Sequence, residues 1–294
     1  MSDLEIQILF ENAHILVLNK PAGLVTIPGP GYKFKDTLAG WVRNYVGEGI
    51  LKVGEENRWG IVHRLDKDTS GALVVAKSAE AYKHLKEQFR RRLVKKLYWA
   101  LVWGDPKEDE FVVDASLARH PKNWARIIIV SRAVNKNRNR NRNRNRNSAN
   151  NVRMTDGDAR KADRDADGEA KESEKSARTE FRVIQRGIKL PVSPGRTRLP
   201  LTFALLESRP ITGRTHQIRV HLKHAGYPIV GDMYYSGRRK YRAVKNFLPR
   251  LFLHAKSIGL ELPDGSLGEF EADLPDELTR LLPKDNSGLL KPKT

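Results

Sequence analysis

The sequence predicts a fold of mixed α and β structure, with strands and helices on both sides of a long polar insertion. Three observations predict it. Short apolar runs at residues 15–18 and 72–76 are bounded by glycine or proline turns, which is typical of buried strands. Residues 78–92 carry Tyr, Leu and Phe along one face at helical spacing. Residues 135–177 hold almost no large apolar side chains, so they cannot join a hydrophobic core.

The predicted helices and strands follow in order along the chain. A helix is expected over residues 36–45, where Asp36 or Thr37 can cap it. A second helix is expected over 78–92, with Ser78 as its N-cap. Strands are expected at 95–103, 179–184, 201–207 and, separated by a turn, 253–255 and 260–262. Between them, a loop that leads into a helix is expected at 213–222.

The insertion at 135–177 begins with a repeat of Asn and Arg at 135–147 and continues in Asp, Ala, Lys, Glu and Gly. We expect it to be a disordered segment within a single domain spanning 1–294, whose core covers about 10–134 and 178–275. Two roles stay open for it. It is either an RNA-tethering arm, since arginine-rich disordered segments can order on RNA, or a tolerated loop expansion.

The charge balance favours a polyanionic partner. The 294 residues include 54 Lys and Arg against 35 Asp and Glu, a formal net charge of +19. Residues 135–178 hold 13 basic and 8 acidic residues, a net of +5, which leaves +14 for the rest of the chain. The excess therefore belongs mainly to the folded part. Nucleic acid is the simplest such partner, although a well solvated basic surface would also account for the charge.

Composition excludes several classes of protein. The chain has 0 Cys, which rules out disulfides and thiolate zinc sites. No run approaches the ~18 consecutive apolar residues of a membrane span. Residues 1–10 lack the basic start and apolar run of a secretory signal. We therefore expect a cytoplasmic protein that makes no membrane contact, and we expect it to be a monomer.

Asp66 is the leading candidate for chemistry. It lies between Arg64 and Lys67 and is followed by a Thr-Ser-Gly turn and an apolar strand. A lone Asp before a glycine turn is usually a cap or a surface charge. Its basic neighbours, however, favour the ionised carboxylate that a nucleophile requires. A turn that enters an apolar strand can also present a side chain from a rigid scaffold.

A second polar segment surrounds Arg219. An arginine fork can hold a carboxylate through two charge-assisted hydrogen bonds, and a solvated helix face is the alternative interpretation. His216 and His221 are five residues apart with no carboxylate at zincin spacing, so we expect no metal site. Tyr98 lies inside an apolar strand, where a tyrosine is more often a core aromatic.

Residues 63–71, His-Arg-Leu-Asp-Lys-Asp-Thr-Ser-Gly, resemble the catalytic signature of the RluA-type pseudouridine synthases, and this signature is long and specific. Other blocks resemble the family's further motifs in the same order, at residues 19–23, 96–98, 213–221, 231–232 and 253–255. The resemblance covers nearly all of the chain from about residue 10 to 275, except the insertion. It implies one α/β catalytic domain with a mixed, largely antiparallel sheet flanked by helices, and a basic cleft around Asp66.

The resemblance also implies roles for individual residues. Asp66 would be the essential catalytic carboxylate, and Arg219 would pair with it and set its orientation. Tyr98 would stack on the target base and help to remove the C5 proton. Arg64 would occupy the space left by the flipped uridine, and Leu253 would pack in the active-site wall. The other residues expected to bind RNA or the base are Lys20, Arg214, Thr215, His216 and Gln217.

The implied activity is the isomerisation of uridine to pseudouridine within RNA, by breaking the N1–C1′ bond, turning the uracil and rejoining it through C5. The target nucleotide must leave the base stack, at a cost of a few kcal/mol that stacking on Tyr98 offsets in part. Asp66 either attacks C1′ or removes the 2′ proton to give a glycal, and both routes need the ionised carboxylate. The reaction needs no cofactor and no metal.

Many members of the family carry an N-terminal S4-like RNA-binding domain, and none is expected here because the catalytic-type segment starts within about the first twenty residues. Ribosomal and transfer RNA both stay possible as substrates. Two other classes stay open, a non-catalytic RNA-binding protein and a hydrolase that uses Asp66 as nucleophile. The joint presence of Asp66, Tyr98 and Arg219 disfavours the binder. The hydrolase is disfavoured because no second carboxylate or metal cluster lies at a suggestive spacing.

Overall fold

A sheet of nine strands forms the centre of the protein in a computed structural model, which describes residues 5–130, 174–192 and 202–283. The strands are β1 (Gln7–Glu11), β2 (Ile15–Lys20), β3 (Ser70–Ala76), β4 (Lys95–Trp103), β5 (Glu110–Asp114), β6 (Ser116–His120), β7 (Asn123–Val130), β8 (Arg178–Ile188), β9 (Phe203–Pro210), β10 (Leu253–Glu261) and β11 (Leu267–Glu271). The helices are α1 (Leu38–Val46), α2 (Ala79–Arg91), α3 (Gln217–His224), α4 (Arg238–Val244) and α5 (Asp276–Thr279), with 3₁₀ turns at Phe34–Asp36 and Glu48–Lys52.

The strand order in the large sheet is β1-β2-β3-β10-β4-β9-β8-β5, and β11 pairs with the second half of β10. Among the described strands, β3 and β10 pair in parallel, with Ser70 opposite His254, and the other pairs are antiparallel. The mixed, largely antiparallel sheet that the family resemblance implies is confirmed. Helix α2 packs against β3 and β10, and α3 packs against β8 and β9. Strands β6 and β7 form a separate hairpin.

Side-chain caps begin the two helices of the N-terminal half, as the sequence predicts. Thr37 begins α1, and its hydroxyl accepts a hydrogen bond from the Gly40 N–H at 3.3 Å. The Ser78 hydroxyl begins α2 by accepting the Ala81 N–H at 3.1 Å. Each cap satisfies one of the N–H groups that lack a partner inside the helix. Of the two candidate caps for α1, the structure therefore selects Thr37.

The two runs predicted as separate strands at 253–255 and 260–262 belong to one strand, β10, and the predicted turn between them is wrong. Eight of its nine residues, 253–260, are buried. The reason is its central position, since β10 is paired with β3 and β11 on one side and with β4 on the other. A strand that is covered on both faces lacks the alternation of polar and apolar residues that marks a half-exposed strand.

The structure describes the last four residues of the predicted insertion, 174–177. Residues 174–177 were assigned to it, but the backbones of Lys175 and Leu117 exchange hydrogen bonds at 2.9 and 3.0 Å. Ala177 is buried and packs with Leu117 against α3. The remainder of the predicted insertion, residues 135–173, lies outside the described residues. Residues of the predicted insertion from 174 onward therefore belong to the fold, because Lys175 pairs with the edge of the β6–β7 hairpin.

The hydrophobic core has two main parts, which lie on the two halves of the large sheet. The first part packs β2 and β3 against α1 and α2, and the second packs β4, β8 and β9 against α3. Tyr98 contacts both parts. Strand β10 also joins them, because Ala255 belongs to the first and Leu253 to the second. The junction between the two halves is thus built around β4 and β10.

The parallel contact between β3 and β10 depends on a glycine. Gly71 has a φ of +117°, and a Cβ built on it would lie 2.2 Å from the carbonyl oxygen of Ala255. Only glycine combines this backbone conformation with so close an approach. Beside it, the Ser70 hydroxyl contacts His254 Nδ1 at 2.9 Å and accepts a hydrogen bond from Arg250. Gly71 therefore lets β3 begin against β10, a few residues after Asp66.

We expect His254 to make the protein less stable in acid. The residue is fully buried, and burial lowers the pKa of its imidazole from 6.5 to about 4. In the unfolded chain the same imidazole takes up a proton as the pH falls below about 6.5, so the free energy of unfolding decreases from there down to about pH 4. A shift of this size corresponds to about 3 kcal/mol.

The measurement is urea unfolding across this pH range. In His254→Asn the dependence of unfolding free energy on pH should be flatter, even though the variant is less stable at neutral pH. His14→Asn is the control, because it makes the same substitution at an exposed position. An unchanged slope in His254→Asn would contradict the prediction.

Candidate active site

Asp66 lies in the loop that leads into β3, and hydrogen bonds on both sides of it hold that loop in place. The Thr26 hydroxyl donates to the Leu65 carbonyl at 2.7 Å. The Gly23 N–H donates to the Lys67 carbonyl at 2.9 Å. Both partners come from the segment that follows β2. The carboxylate is therefore presented from a loop whose neighbouring backbone groups are fixed, which limits its freedom to move.

Lys20, which the sequence predicts as an RNA contact, is not part of the cavity. Its side chain is fully buried at the end of β2, and Nζ donates to the carbonyls of Pro21, Leu24 and Lys67 at 2.7, 2.8 and 3.1 Å. Burial lowers the pKa of Lys20 to about 7, and the nearby positive charge of Arg250 lowers it further. Lys20 thus connects the loop of Asp66 to the turn after β2 through hydrogen bonds. A side chain buried in this way is not available to RNA, contrary to the prediction from sequence.

Arg219 lies between two carboxylates. Its Nη1 donates to Asp66 Oδ2 at 3.0 Å. On its other side, Nε and Nη2 donate to the two oxygens of Asp232, at 2.7 and 3.0 Å. The bidentate contact fixes the plane of the guanidinium, so its remaining edge has a fixed direction toward Asp66. The expected pairing of Asp66 with Arg219 is therefore present in the structure.

Asp232 is a site residue to which the sequence assigned no role. It is 1% exposed, and its Oδ1 accepts the N–H groups of Tyr234 and Tyr235 at 2.9 and 3.1 Å. Gly231 before it has a φ of +77°, and a Cβ there would lie 2.0 Å from the Arg250 carbonyl oxygen. The Gly-Asp block was visible in the sequence. Its function as the anchor of Arg219 depends on a contact between α3 and the loop after it.

The electrostatics of the site favour an ionised Asp66. Burial raises the pKa of the Asp66 carboxyl, but the charges of His216, when protonated, and of Arg219 lower it by more, so the net shift is downward. For Arg219, burial lowers the pKa, and the contacts with Asp232 and Asp66 outweigh this and raise it. The carboxylate side chain is 21% exposed, so it stays accessible from the cavity.

A cavity of about 520 Å³ brings the predicted residues together. Asp66, Tyr98, Arg219 and Leu253 all line it. Burial raises the pKa of the Tyr98 hydroxyl, and the charge of Asp66 raises it further, so the phenol stays protonated at neutral pH. Leu253 is 3% exposed and lies opposite Ala100 in the sheet. The cavity thus opens at the junction of the two core parts, with Tyr98 in its wall.

The other predicted residues differ in their surroundings. Arg64 and Arg214 line the cavity and are exposed. Gln217 also lines it but is 4% exposed, and its amide bonds Thr212, Arg214, Arg178 and Thr179. Thr215 is exposed and borders a smaller depression of about 200 Å³ instead of the main cavity. Gln217 therefore orders the loop before α3, and Thr215 lies beside the site rather than in it.

The cavity is strongly basic. Among the described residues, seven Lys and Arg side chains line it, namely Arg58, Arg64, Arg90, Arg92, Lys96, Arg214 and Arg219, and Asp66 is the one Asp or Glu side chain among the lining residues. Such a surface attracts a polyanion. The described residues contain no group of three or more His, Asp or Glu side chains that could hold a metal ion. None of their helices is long and apolar enough to cross a membrane.

The fold and the site together define a class of protein: a mixed-sheet domain with an arginine-bound aspartate in a strongly basic cavity, a surface that attracts polyanions. A sequence profile described as RNA pseudouridylate synthase matches residues 14–224. The chain therefore belongs to the RNA pseudouridylate synthase family, and its relatives are of the RluA type that its motifs resemble.

Curated relatives and solved structures agree with this assignment. The chain is 36% identical over 268 residues to an uncharacterized RNA pseudouridine synthase of Chloroflexus aurantiacus, covering 90% of this chain and 64% of the relative. It is 34% identical to the ribosomal large subunit pseudouridine synthase D of Nitrosomonas europaea, and this match covers 94% of this chain and 64% of the relative. The dual-specificity RNA pseudouridine synthase RluA of Yersinia pestis is 33% identical, and this match covers 87% of this chain and 93% of the relative.

The chain thus spans just under two thirds of the length of the first two relatives. Among solved structures, human RNA Pseudouridylate Synthase Domain Containing 1 has a TM-score of 0.62 at 23% identity, covering 94% of this chain and 87% of the human one. Human RNA Pseudouridylate Synthase Domain Containing 4 has a TM-score of 0.60 at 24% identity, covering 93% and 90%. At this level of identity the human structures show a shared fold.

Proposed function

We propose that this protein isomerises uridine to pseudouridine in RNA, with Asp66 as the essential carboxylate. The observation that carries the proposal is the contact of Asp66 with Arg219 inside a basic cavity that Tyr98 also lines. An ionised carboxylate is required whether it attacks C1′ or removes the 2′ proton. Membership of the family supplies the class of reaction.

The contacts support distinct roles for the residues around Asp66. Arg219 orients the carboxylate and is oriented in turn by Asp232. Tyr98 offers a ring on which the flipped uracil stacks, which offsets part of the cost of unstacking. Arg64 is exposed at the cavity and can enter the gap that the nucleotide leaves in the RNA. Leu253 closes the wall behind the base.

Ribosomal RNA is the substrate class that we propose first, with transfer RNA as the second. The proposal is supported by relatives whose names refer to the ribosomal large subunit and by one named as a dual-specificity RNA enzyme. Since the substrate is RNA, we also propose that the protein works in the cytoplasm. We propose a monomer with a single catalytic domain, which light scattering of the purified protein tests directly.

Tritium release tests the proposed activity. RNA labelled with tritium at C5 of uridine loses the label when C5 forms the new glycosidic bond. Unmodified ribosomal and transfer RNA transcripts should be offered separately, and we expect release from ribosomal RNA. Absence of release from either RNA, despite tight binding that weakens with salt, would favour a non-catalytic RNA-binding protein. Release of free uracil would instead indicate a hydrolase.

Lys96 and Arg92 should contribute to RNA binding, whereas Lys95 should not. Lys96 and Arg92 line the cavity, and burial together with the charge of Arg92 lowers the pKa of Lys96 to about 8. Lys95 is the preceding residue on β4, so its side chain points to the opposite face of the sheet. A phosphate held near its ammonium would keep Lys96 charged.

The measurement is fluorescence anisotropy with a labelled oligouridylate at several salt concentrations. Lys96→Ala and Arg92→Ala should each reduce the slope of log affinity against log salt by about 0.7, the value for one single-strand phosphate contact. Lys95→Ala removes the same charge and should leave the slope unchanged. If all three variants give the same slope, the part of the cavity lined by Arg92 and Lys96 does not bind the RNA backbone.

A further inference from the structure

His216 lies beside Asp66 and is held from its other side. Its Nε2 is 3.7 Å from Asp66 Oδ2, and its Nδ1 is 2.8 Å from the Tyr235 hydroxyl. The side chain is 16% exposed and lines the cavity. The backbone of His216 has a φ of 54°, a left-handed conformation that is uncommon outside glycine. Such conformations persist only where the surroundings impose them, and they cluster at functional sites.

The hydrogen-bond chain favours one tautomer of the neutral His216 ring. The Ile127 N–H donates to the Tyr235 hydroxyl oxygen at 2.8 Å. The hydroxyl has one hydrogen of its own, and its contact with His216 Nδ1 gives that hydrogen an acceptor. With the hydroxyl as the donor, Nδ1 is unprotonated, and the neutral ring carries its hydrogen on Nε2. That N–H is directed to the side of the ring on which Asp66 lies.

Burial favours the neutral form of the His216 ring at pH 7. Burial lowers the pKa of the imidazole below 6.5, and Arg219 and Arg119 act in the same direction. Asp66 and Asp232 act in the opposite direction and do not reverse the shift. Tyr234 stacks against the ring at a centroid distance of 6.1 Å. A neutral donor beside Asp66 interacts with the carboxylate without neutralising it.

Helix α3 places His216 and Arg219 against the same oxygen. His216 immediately precedes α3 and Arg219 lies in its first turn, so the start of α3 brings both side chains beside Asp66. Both contacts fall on Asp66 Oδ2. This arrangement leaves Oδ1 for the substrate.

We propose that His216 is a positioning residue for Asp66: Tyr235 sets its tautomer, and its Nε2–H, together with Arg219, orients Oδ2 so that Oδ1 meets the nucleotide. The expected effect on kcat rests on the proposed function. The expected tautomer does not. The positioning role differs from the sequence-based expectation, in which His216 binds RNA. Because Ile127 belongs to β7, the β6–β7 hairpin is part of the arrangement that orients the carboxylate.

Nuclear magnetic resonance tests the tautomer without any substrate. In protein labelled with ¹⁵N at histidine, we expect the His216 ring to be neutral at pH 7, with its proton on Nε2. In Tyr235→Phe, which lacks the hydroxyl, the Nδ1–H form should become populated. A wild-type ring protonated on Nδ1 at pH 7 would overturn the proposal, whatever the protein's activity.

Kinetics test the positioning role. We expect His216→Ala to lower kcat about 10- to 100-fold, because misplacing a reacting group by about 1 Å can cost about 100-fold. KM for RNA should change little, whereas loss of an RNA contact would raise KM instead. His216→Gln retains an N–H in a comparable place and should recover part of kcat. His224→Asn is the control, because His224 is exposed at the end of the same helix.

The pH profile separates positioning from a purely structural role. Protonation of His216 puts a hydrogen on Nδ1, where it faces the hydroxyl hydrogen of Tyr235 and breaks the hydrogen bond that positions the ring. Wild-type kcat should therefore fall as the pH drops below the pKa of His216. His216→Gln does not titrate and should lack this decrease. An unchanged kcat in His216→Ala, or the same acid decrease in His216→Gln, would overturn the proposal. Absence of tritium release from wild type would contradict the proposed function, and the tautomer would still be tested.

Discussion

Asp66→Asn should lower the rate of tritium release at least about 1000-fold, the scale on which loss of a catalytic nucleophile acts. The amide is close to the carboxylate in size, so the cavity keeps its shape. It cannot attack C1′ as an anion and cannot accept the 2′ proton, so both chemical routes are blocked. Its uncharged oxygen also makes a weaker hydrogen bond with Arg219. The rate is measured as tritium released per enzyme under single-turnover conditions.

Asp68→Asn is the matched control for this variant. It makes the same chemical change two residues further along, at a residue that does not line the cavity. Asp68→Asn should retain turnover within a few-fold, and both variants should bind RNA nearly as tightly as wild type. Retained turnover in a clean Asp66→Asn preparation would show that another group carries the reaction. Loss of RNA binding in Asp66→Asn would show that the carboxylate matters for the shape of the site rather than for chemistry.

Asp232→Ala should have the second largest effect, on stability as well as on turnover. Removing one partner of a buried ion pair typically costs about 3–5 kcal/mol, since the other charge stays buried. Here the loss leaves Arg219 paired with Asp66 through one nitrogen, and it removes the acceptor of the Tyr234 and Tyr235 N–H groups. Turnover should also fall, because the guanidinium is then free to rotate and no longer holds Asp66 in one orientation.

Urea unfolding measures the effect of Asp232→Ala on stability. The midpoint should decrease without a change in slope, as expected for a loss of stability without a change in the surface exposed on unfolding. Glu48→Gln removes one partner of the exposed Arg43–Glu48 pair and should cost less than about 1 kcal/mol. A cost below 1 kcal/mol for Asp232→Ala would show that Asp232 is not the anchor of Arg219. Turnover is then measured at a temperature where the variant is folded.

Local patterns were sufficient for much of the secondary structure. Strand β4 has the predicted bounds, and α1 and α2 begin beside predicted caps. In each case the signal lies in neighbouring residues: a capping hydroxyl, apolar spacing of one helical face, or a continuous apolar run. Strand β10 was divided in the prediction because its continuity depends on pairing with strands distant in sequence.

The sequence by itself determined the family, and it predicted Asp66 as the essential carboxylate with Arg219 as its partner, because those residues lie in motifs whose meaning is local. It placed Asp66, Tyr98, Arg219 and Leu253 in one site, and all four line the cavity. Only the tertiary structure decided what the other polar residues do. Lys20 is buried beneath the loop that carries Asp66, and charge alone cannot distinguish a buried lysine from an RNA contact.

The roles of Asp232 and His216 likewise depend on contacts that no local pattern specifies. Asp232 anchors Arg219 across the loop that follows α3, and His216 connects Asp66 to Tyr235 and to the backbone of β7. The physical reason is that a hydrogen bond depends on distance and direction between atoms from separate parts of the chain. Those distances exist only once the sheet has brought the loop before β3, helix α3 and the β6–β7 hairpin together.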